Sequence, residues 1–291
     1  MSLTVHVGAH KTATTHLQQS LRSVLPQMQA AGIHYSDGSH WRGGPLRLAA
    51  ALDDGPQGQQ LLRRLRARFD VIDEIWPRQI LSEENILGTL RPDSLIGDRF
   101  IYPQAERRLN RLCGAFRRRP VTVCLAVRDP LDFFTSAFSM RVVGGRALVW
   151  EEYLNGFDPA AVSWTGLARR LLAARGVAQL LVWRYEDYAA LRLALLARLL
   201  SADVAQAVSD LPRAVVGLSQ AAYDEILRRA MEEIDADLTE IAREAQERHP
   251  RSATSPRLRT GDAALAAACA AAYAADLEDL ARLPGVEFLR P

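Results

Sequence analysis

The stretch VGAHKTATTHLQQSL, residues 7–21, holds the only lysine in the chain. The 36 Lys+Arg positions comprise Lys11 and otherwise arginine. Three threonine hydroxyls, Thr12, Thr14 and Thr15, stand beside it. The run LTVHV before it reads as a strand, and TTHLQQSLRSVL after it has helical spacing. Strand, glycine-containing loop and helix together make a phosphate-binding arrangement. Backbone N–H groups at the helix start point at an anion, and the helix dipole reinforces them. An ammonium is a compact charge that can follow a moving oxygen, which a flat guanidinium fork does less well. The loop departs from a Walker A motif, G-x-x-x-x-G-K-[ST]. Five residues after Gly8 stands Ala13, and Thr14 occupies the lysine slot. That argues against transfer from the γ-phosphate of ATP and for a related anion held differently.

A second constellation, VRDPLDFFTSAF, follows the apolar run VTVCLAV. Arg128 at a strand end can grip a phosphate with two parallel bonds. Pro130 suits the first turn of a helix. Ser136, about two helical turns on from Arg128, can return its hydroxyl to the same side. Taken alone, a surface Arg–Asp pair opening an ordinary helix accounts for it equally well.

The two stretches together resemble the sulfotransferase family, in particular its bacterial and carbohydrate-modifying branches. The family's 5′-phosphosulfate loop reads K-T-G-T-T, here KTATT. Its 3′-phosphate site has the Arg, Pro and Ser spacing of Arg128, Pro130 and Ser136. Ala13 replaces the usual glycine, a mild departure if a small residue is all that the helix start needs. His16 stands where cytosolic eukaryotic members often carry tryptophan. The resemblance implies the donor 3′-phosphoadenosine 5′-phosphosulfate (PAPS), leaving 3′-phosphoadenosine 5′-phosphate, with no metal required. It implies that His10, Lys11, Thr12, Ala13, Thr14 and Thr15 line the 5′ side, and that Arg128 and Ser136 hold the 3′-phosphate. LVWRYEDY resembles a family strand ending that packs beside the nucleotide. The basic stretch HPRSATSPRLRTGD resembles the family's closing loop; Arg257 or Arg259, and also Arg251, can reach the 3′-phosphate.

Sulfonate transfer to a hydroxyl or amine needs positioning, charge stabilisation and a general base. LSEEN, at the end of a strand, is similar to an S-x-E segment of bacterial members and singles out Glu84, with Glu83 next. A helix start capped by Ser82 is the structural alternative. His40, after the second strand, is the histidine candidate. His10 is expected to shape the loop and His6 to be buried. A P-loop-like kinase, and a non-catalytic nucleotide-binding protein of the same fold, are the rival functions.

The elements that must position these groups alternate short apolar runs with helical patterns, as in βαβ units. Strands are expected at 3–7, 32–35, 78–82, 121–127 and 178–187, and GVEFL closes the chain. The fold expected is α/β: one three-layer P-loop-like domain over residues 1–291, with a central parallel sheet of about five strands flanked by helices. A single long helical pattern spans 218–247. The nucleotide is expected at the C-terminal strand ends.

Composition narrows the classes. Net charge is +2 and the chain is 48% hydrophobic, so no polybasic field favours nucleic acid. The basic runs at 63–68 and 117–119 read as solvated helix faces. Three separated cysteines, without a C-x-x-C, read as reduced core thiols in a cytoplasmic protein. No signal peptide or transmembrane segment is evident. The acceptor is expected to be a hydroxyl of a carbohydrate, a lipid-linked sugar or a small molecule. Trp41, Tyr102, Trp150, Tyr153 and Trp164 are candidates to stack on a sugar, with core packing as the alternative.

Overall fold

The computed structural model describes residues 2–116, 120–146, 148–209, 211–212, 217–233 and 235–291. The basic run at 117–119 lies outside the described residues. Six parallel strands form one sheet: β1 (Ser2–His6), β2 (Ile33–Asp37), β3 (Arg78–Ser82), β4 (Val121–Val127), β5 (Val177–Arg184) and β6 (Val286–Leu289). Their order is β2-β3-β1-β4-β5-β6. The sixth strand, the closing GVEFL, lies at an edge beside β5 and adds one to the expected five.

Side-chain alternation along the strands divides the core in two. Val121, Val123, Leu125 and Val127 of β4 face one layer, with Leu3 and Val5 of β1. Cys124 and Ala126 face the other, with Ile80, Leu181 and Trp183. A strand covered on both faces has no polar side to show, which is why VTVCLAV reads as a nearly continuous apolar run. Helices Thr14–Arg22 and Tyr188–Leu199 cover the second face through Leu17, Leu21, Leu191 and Leu195. Helices Pro56–Ile75, Ala105–Cys113, Pro130–Val143 and Trp164–Leu172 cover the first.

Two expectations change. The pattern over 218–247 is two helices, Gln220–Glu232 and Leu238–Arg248, whose contact is laced by Arg229 bonding Glu233 and Glu244. Periodicity continues across the turn because both helices bury the same kind of face, Ile226 on one and Ile241 and Ala245 on the other. After β3, Ser82 is not the cap. Glu83 caps a short turn, Glu84–Ile86, by accepting from the Asn85 backbone N–H at 3.0 Å.

The strand order positions the site. From β1 the chain passes to one side of the sheet, and from β3 it crosses to the other. The loop leaving β1 therefore opens at the switch point, with β3 and β4 on either hand. Ligand crevices form there in open α/β sheets because the flanking loops diverge.

Candidate functional site

The loop from Val7 to Ala13 is tied by its backbone N–H groups only over its first half. The backbone N–H groups of Val7 and Gly8 donate to the Cys124 carbonyl, and that of Ala9 to Ala126. The His10 N–H donates to the Tyr102 hydroxyl at 3.0 Å. Beyond that point, no acceptor among the described residues meets the N–H groups of Lys11, Thr12, Ala13, Thr14, Thr15 or His16; the helix's first internal bond is Leu17 N–H to the Ala13 carbonyl. Six successive unpaired donors at the head of a nine-residue helix form a nest for an anion.

The loop turns by left-handed backbone at Gly8 (φ 44°), Lys11 (φ 65°) and Ala13 (φ 63°). Ala13 corrects the expectation that smallness is all this position needs. It is the N-cap of the helix and sits in the region where a Cβ is penalised by about 1–2 kcal/mol. A glycine would avoid that penalty. Gly8 is constrained from another direction as well. A Cβ there would lie 2.7 Å from Thr14 Oγ1 and 3.2 Å from His6 Nε2.

The three threonines differ in what they offer. Thr12 is buried, and its hydroxyl donates to the Ala9 carbonyl at 2.5 Å, so it braces the loop. Thr14 Oγ1 is buried and has no partner among the described residues. Thr15 is exposed on the first helical turn. Burial and the neighbouring Arg128 guanidinium push the Lys11 ammonium below the ordinary lysine range, while Glu84 opposes them. An anion beside Lys11 would restore its preference for the charged form.

Arg128 reaches the same loop. Its Nη1 donates to the Lys11 carbonyl at 2.7 Å, and its guanidinium lies 4.4 Å over the Tyr185 ring. Its Nε is buried and has no partner among the described residues. The YED segment therefore does pack beside this arginine. Ser136 is half-buried on helix Pro130–Val143, one turn after Asp132. Arg257 donates to Asp132 Oδ2 at 2.8 Å, and Arg128 Nη2 stands 3.9 Å from the same oxygen. Both Arg257 and Arg259 line a cleft of about 580 Å³ with Asp129, Asp132, Thr135 and Thr260. Arg251 is exposed and lines a separate depression.

The acid candidates separate clearly. Glu83 is 1% exposed. Its carboxylate accepts from Arg42 Nε at 2.9 Å and Nη2 at 3.0 Å, and from the Asn85 side-chain amide at 2.6 Å. Burial and these bonds hold Glu83 as a brace, shielded from an incoming acceptor. Glu84 is partly exposed, pairs with Arg42 at 2.7 Å, and lies within electrostatic reach of Lys11. Gln18 steadies it, with Nε2 3.5 Å from Glu84 Oε2 and 3.2 Å from Ser82 Oγ. His40 follows β2, two strands away from β1. Its Nδ1 accepts from the Asp37 N–H at 3.3 Å in a capping box, and half of the side chain is exposed.

His10 links the loop to this acidic side. Its backbone N–H uses the Tyr102 oxygen, so the Tyr102 hydroxyl donates to Nδ1 at 2.8 Å, and Nε2–H donates to Asn85 Oδ1 at 3.3 Å. Asn85 in turn donates to Glu83. Burial pushes His10 down to about 4, so the ring serves as a neutral brace. His6 is likewise buried and pushed down to about 4, bonded to Ser82 and stacked on Trp183.

The aromatic side chains proposed for sugar stacking belong to the core. Trp41, Tyr102, Trp150, Tyr153 and Trp164 are all at most 8% exposed. Trp164 Nε1 donates to the Arg128 carbonyl, helping to fix the arginine from behind. Arg42, Gln18, Asn85 and Asp132 are the site residues that sequence reasoning missed. Only Asp132 carried a signal, its i,i+4 spacing from Arg128. Among the described residues no group of His, Cys, Asp and Glu is arranged to hold a metal ion, and no helix is long and apolar enough to cross a membrane.

No protein-family model matches the chain, and no curated protein matches it. Among solved structures, it is similar to the crystal structure of a sulfotransferase from Alicyclobacillus acidocaldarius. That match has 16% identity and a TM-score of 0.44, and covers 87% of this chain and 98% of the other.

Proposed function

We propose that this protein transfers a sulfonate group from 3′-phosphoadenosine 5′-phosphosulfate to a hydroxyl or amine of a carbohydrate or small-molecule acceptor. The observation that carries the reading is the run of six unpaired N–H groups, Lys11 to His16, with the Lys11 ammonium at its side. Two buried orphan atoms, Thr14 Oγ1 and Arg128 Nε, belong to the same region. Arg257 Nη1 and Arg128 Nη2, 2.8 and 3.9 Å from the Asp132 carboxylate, supply two guanidinium groups for a second phosphate. The residues present therefore fit a bisphosphate.

When bound, the donor supplies an activated sulfonate and a 3′,5′-bisphosphate leaving group. The loop N–H groups from Lys11 to His16 hold the 5′-phosphate. Lys11 neutralises the charge that builds on the bridging oxygen as the S–O bond breaks. Arg128 and Arg257 meet the 3′-phosphate, with Arg259 lining the same cleft; Ser136 is not among the residues that line it, whereas its neighbour Thr135 is. Glu84 Oε takes the proton of the acceptor; Arg42 and Gln18 hold that carboxylate in place. Glu83 and His10 act behind these groups as braces. His40, held in its capping box two strands away from β1, is the weaker candidate for the base.

Calorimetric titration with adenosine 3′,5′-bisphosphate, ADP and ATP tests the donor. Wild type is expected to bind the bisphosphate most tightly. Arg257→Ala is expected to weaken the bisphosphate alone. Arg128→Ala is expected to weaken all three ligands, because Arg128 also holds the Lys11 carbonyl. ATP binding as tight as the bisphosphate, untouched by Arg257→Ala, would overturn the reading and favour a kinase.

A further inference from the structure

The cleft beside helix Pro130–Val143 carries three carboxylates next to the arginines assigned to the 3′-phosphate. Two of them are accounted for by the backbone. Asp129 Oδ1 accepts from the Asp132 N–H at 3.0 Å and caps helix Pro130–Val143. Asp262 Oδ1 accepts from the Leu265 N–H at 2.8 Å and caps helix Ala263–Arg282. The Asp132 carboxylate has no such duty. Its Oδ2 stands between Arg257 Nη1, at 2.8 Å, and Arg128 Nη2, at 3.9 Å. An anionic oxygen bonded to one guanidinium and facing a second is where a phosphate oxygen would be expected to sit.

We infer that Asp132 is a built-in competitor for the 3′-phosphate, holding Arg257 and facing Arg128 until a nucleotide displaces it. The inference rests on the donor proposed above. Its consequence is specific. A like charge beside a bound dianion weakens binding and favours release, so Asp132 limits how tightly the spent bisphosphate is held. The energy is moderated by water, because the Arg257 side chain is 49% exposed and that of Asp132 is 32% exposed. Asp132 is a specificity residue: it opposes the bound phosphate by its charge and does not touch the reacting atoms.

The test compares affinities for adenosine 3′,5′-bisphosphate and adenosine 5′-monophosphate in wild type, Asp132→Asn and Asp132→Ser. Asparagine keeps the shape without the charge. Serine is a second uncharged residue that suits a helix's first turn, should asparagine fail to fold. Either variant is expected to bind the bisphosphate about tenfold more tightly, with the monophosphate unchanged. Unchanged or weaker bisphosphate binding in the variants would overturn the inference, since Asp132 would then be orienting the arginines for the phosphate. A wild type that does not prefer the bisphosphate over the monophosphate overturns the donor reading itself, and this inference with it. The two failures are thus told apart by the wild-type measurement alone.

Discussion

Arg128 donates from Nη1 to the carbonyl oxygen of Lys11 at 2.7 Å, joining residues 117 apart in the chain. The bond fixes a left-handed turn of the loop with the same guanidinium whose Nη2 stands 3.9 Å from Asp132 Oδ2, a carboxylate of the cleft. Arginine can do both because its donors point in fixed, different directions. Lysine at position 128 offers one point charge and cannot. Arg128→Lys is therefore expected to lose affinity for 5′-phosphorylated and 3′-phosphorylated nucleotides alike, in a direct titration of each. A loss confined to 3′-phosphorylated ligands would show that the loop contact is dispensable.

Lys11→Ala removes the charge proposed to meet the leaving oxygen. Loss of one preorganised donor of this kind costs about 3–4 kcal/mol of transition-state stabilisation, a fall in turnover of about 100- to 1000-fold. Bisphosphate affinity should fall less than turnover, because the N–H groups remain. Steady-state kinetics with a sulfonate acceptor would read this directly, and normal turnover would remove Lys11 from the chemistry.

Glu83 and Glu84 are adjacent in sequence and separated in role. Glu83→Ala leaves a guanidinium and an amide without their acceptor and is expected to lower stability by about 1–3 kcal/mol. Glu84→Gln keeps the shape and should leave the thermal midpoint nearly unchanged while cutting turnover. Thermal melts beside activity assays separate the two. If Glu83→Gln abolishes turnover at full stability, the assignments must be exchanged.

The loop glycine and alanine should respond in opposite directions. Ala13→Gly relieves a left-handed penalty of about 1–2 kcal/mol and returns about 0.5–1 kcal/mol to chain flexibility. The net expectation is a melting temperature at or slightly above wild type. Gly8→Ala adds a Cβ 2.7 Å from Thr14 Oγ1 at φ 44° and should destabilise the loop and weaken anion binding. A drop in melting temperature for Ala13→Gly would mean that Ala13 makes contacts worth more than its strain.

His6 and His10 make folding stability depend on acid. Both ionise near 6.5 in the unfolded chain and are pushed down to about 4 in the fold by burial. Between those values the unfolded chain binds more protons, so stability falls as pH drops from 6.5 toward 4. It is insensitive to these two groups above 6.5. Each contributes at most roughly 3 kcal/mol across that window. Urea midpoints measured from pH 7 to 4 should show the decline, and His10→Gln should make it shallower. A flat profile for wild type would mean that the rings are open to water in the folded state.

Sequence alone determined the alternation of strand and helix, the double-faced burial of β4 and the two stretches proposed to bind anions. Those features are local: apolar periodicity, a strand running into a loop and helix, an arginine at a strand end ahead of a proline. It also singled out Lys11 by being unlike every other basic residue. Only the tertiary structure decided which groups are spent and which are free. Thr12 and Thr14 look alike in KTATT, yet one hydroxyl is bonded within the loop and the other is orphaned. Ala13 looked harmless until its φ of 63° was known. The pairings of Arg42 with Glu83, Tyr102 with His10 and Arg257 with Asp132 span 41, 92 and 125 residues. No periodicity records such contacts, because they arise where separate loops converge at the C-terminal edge of the sheet. Strand order chooses those loops, and it is set by how two apolar layers pack on a parallel sheet.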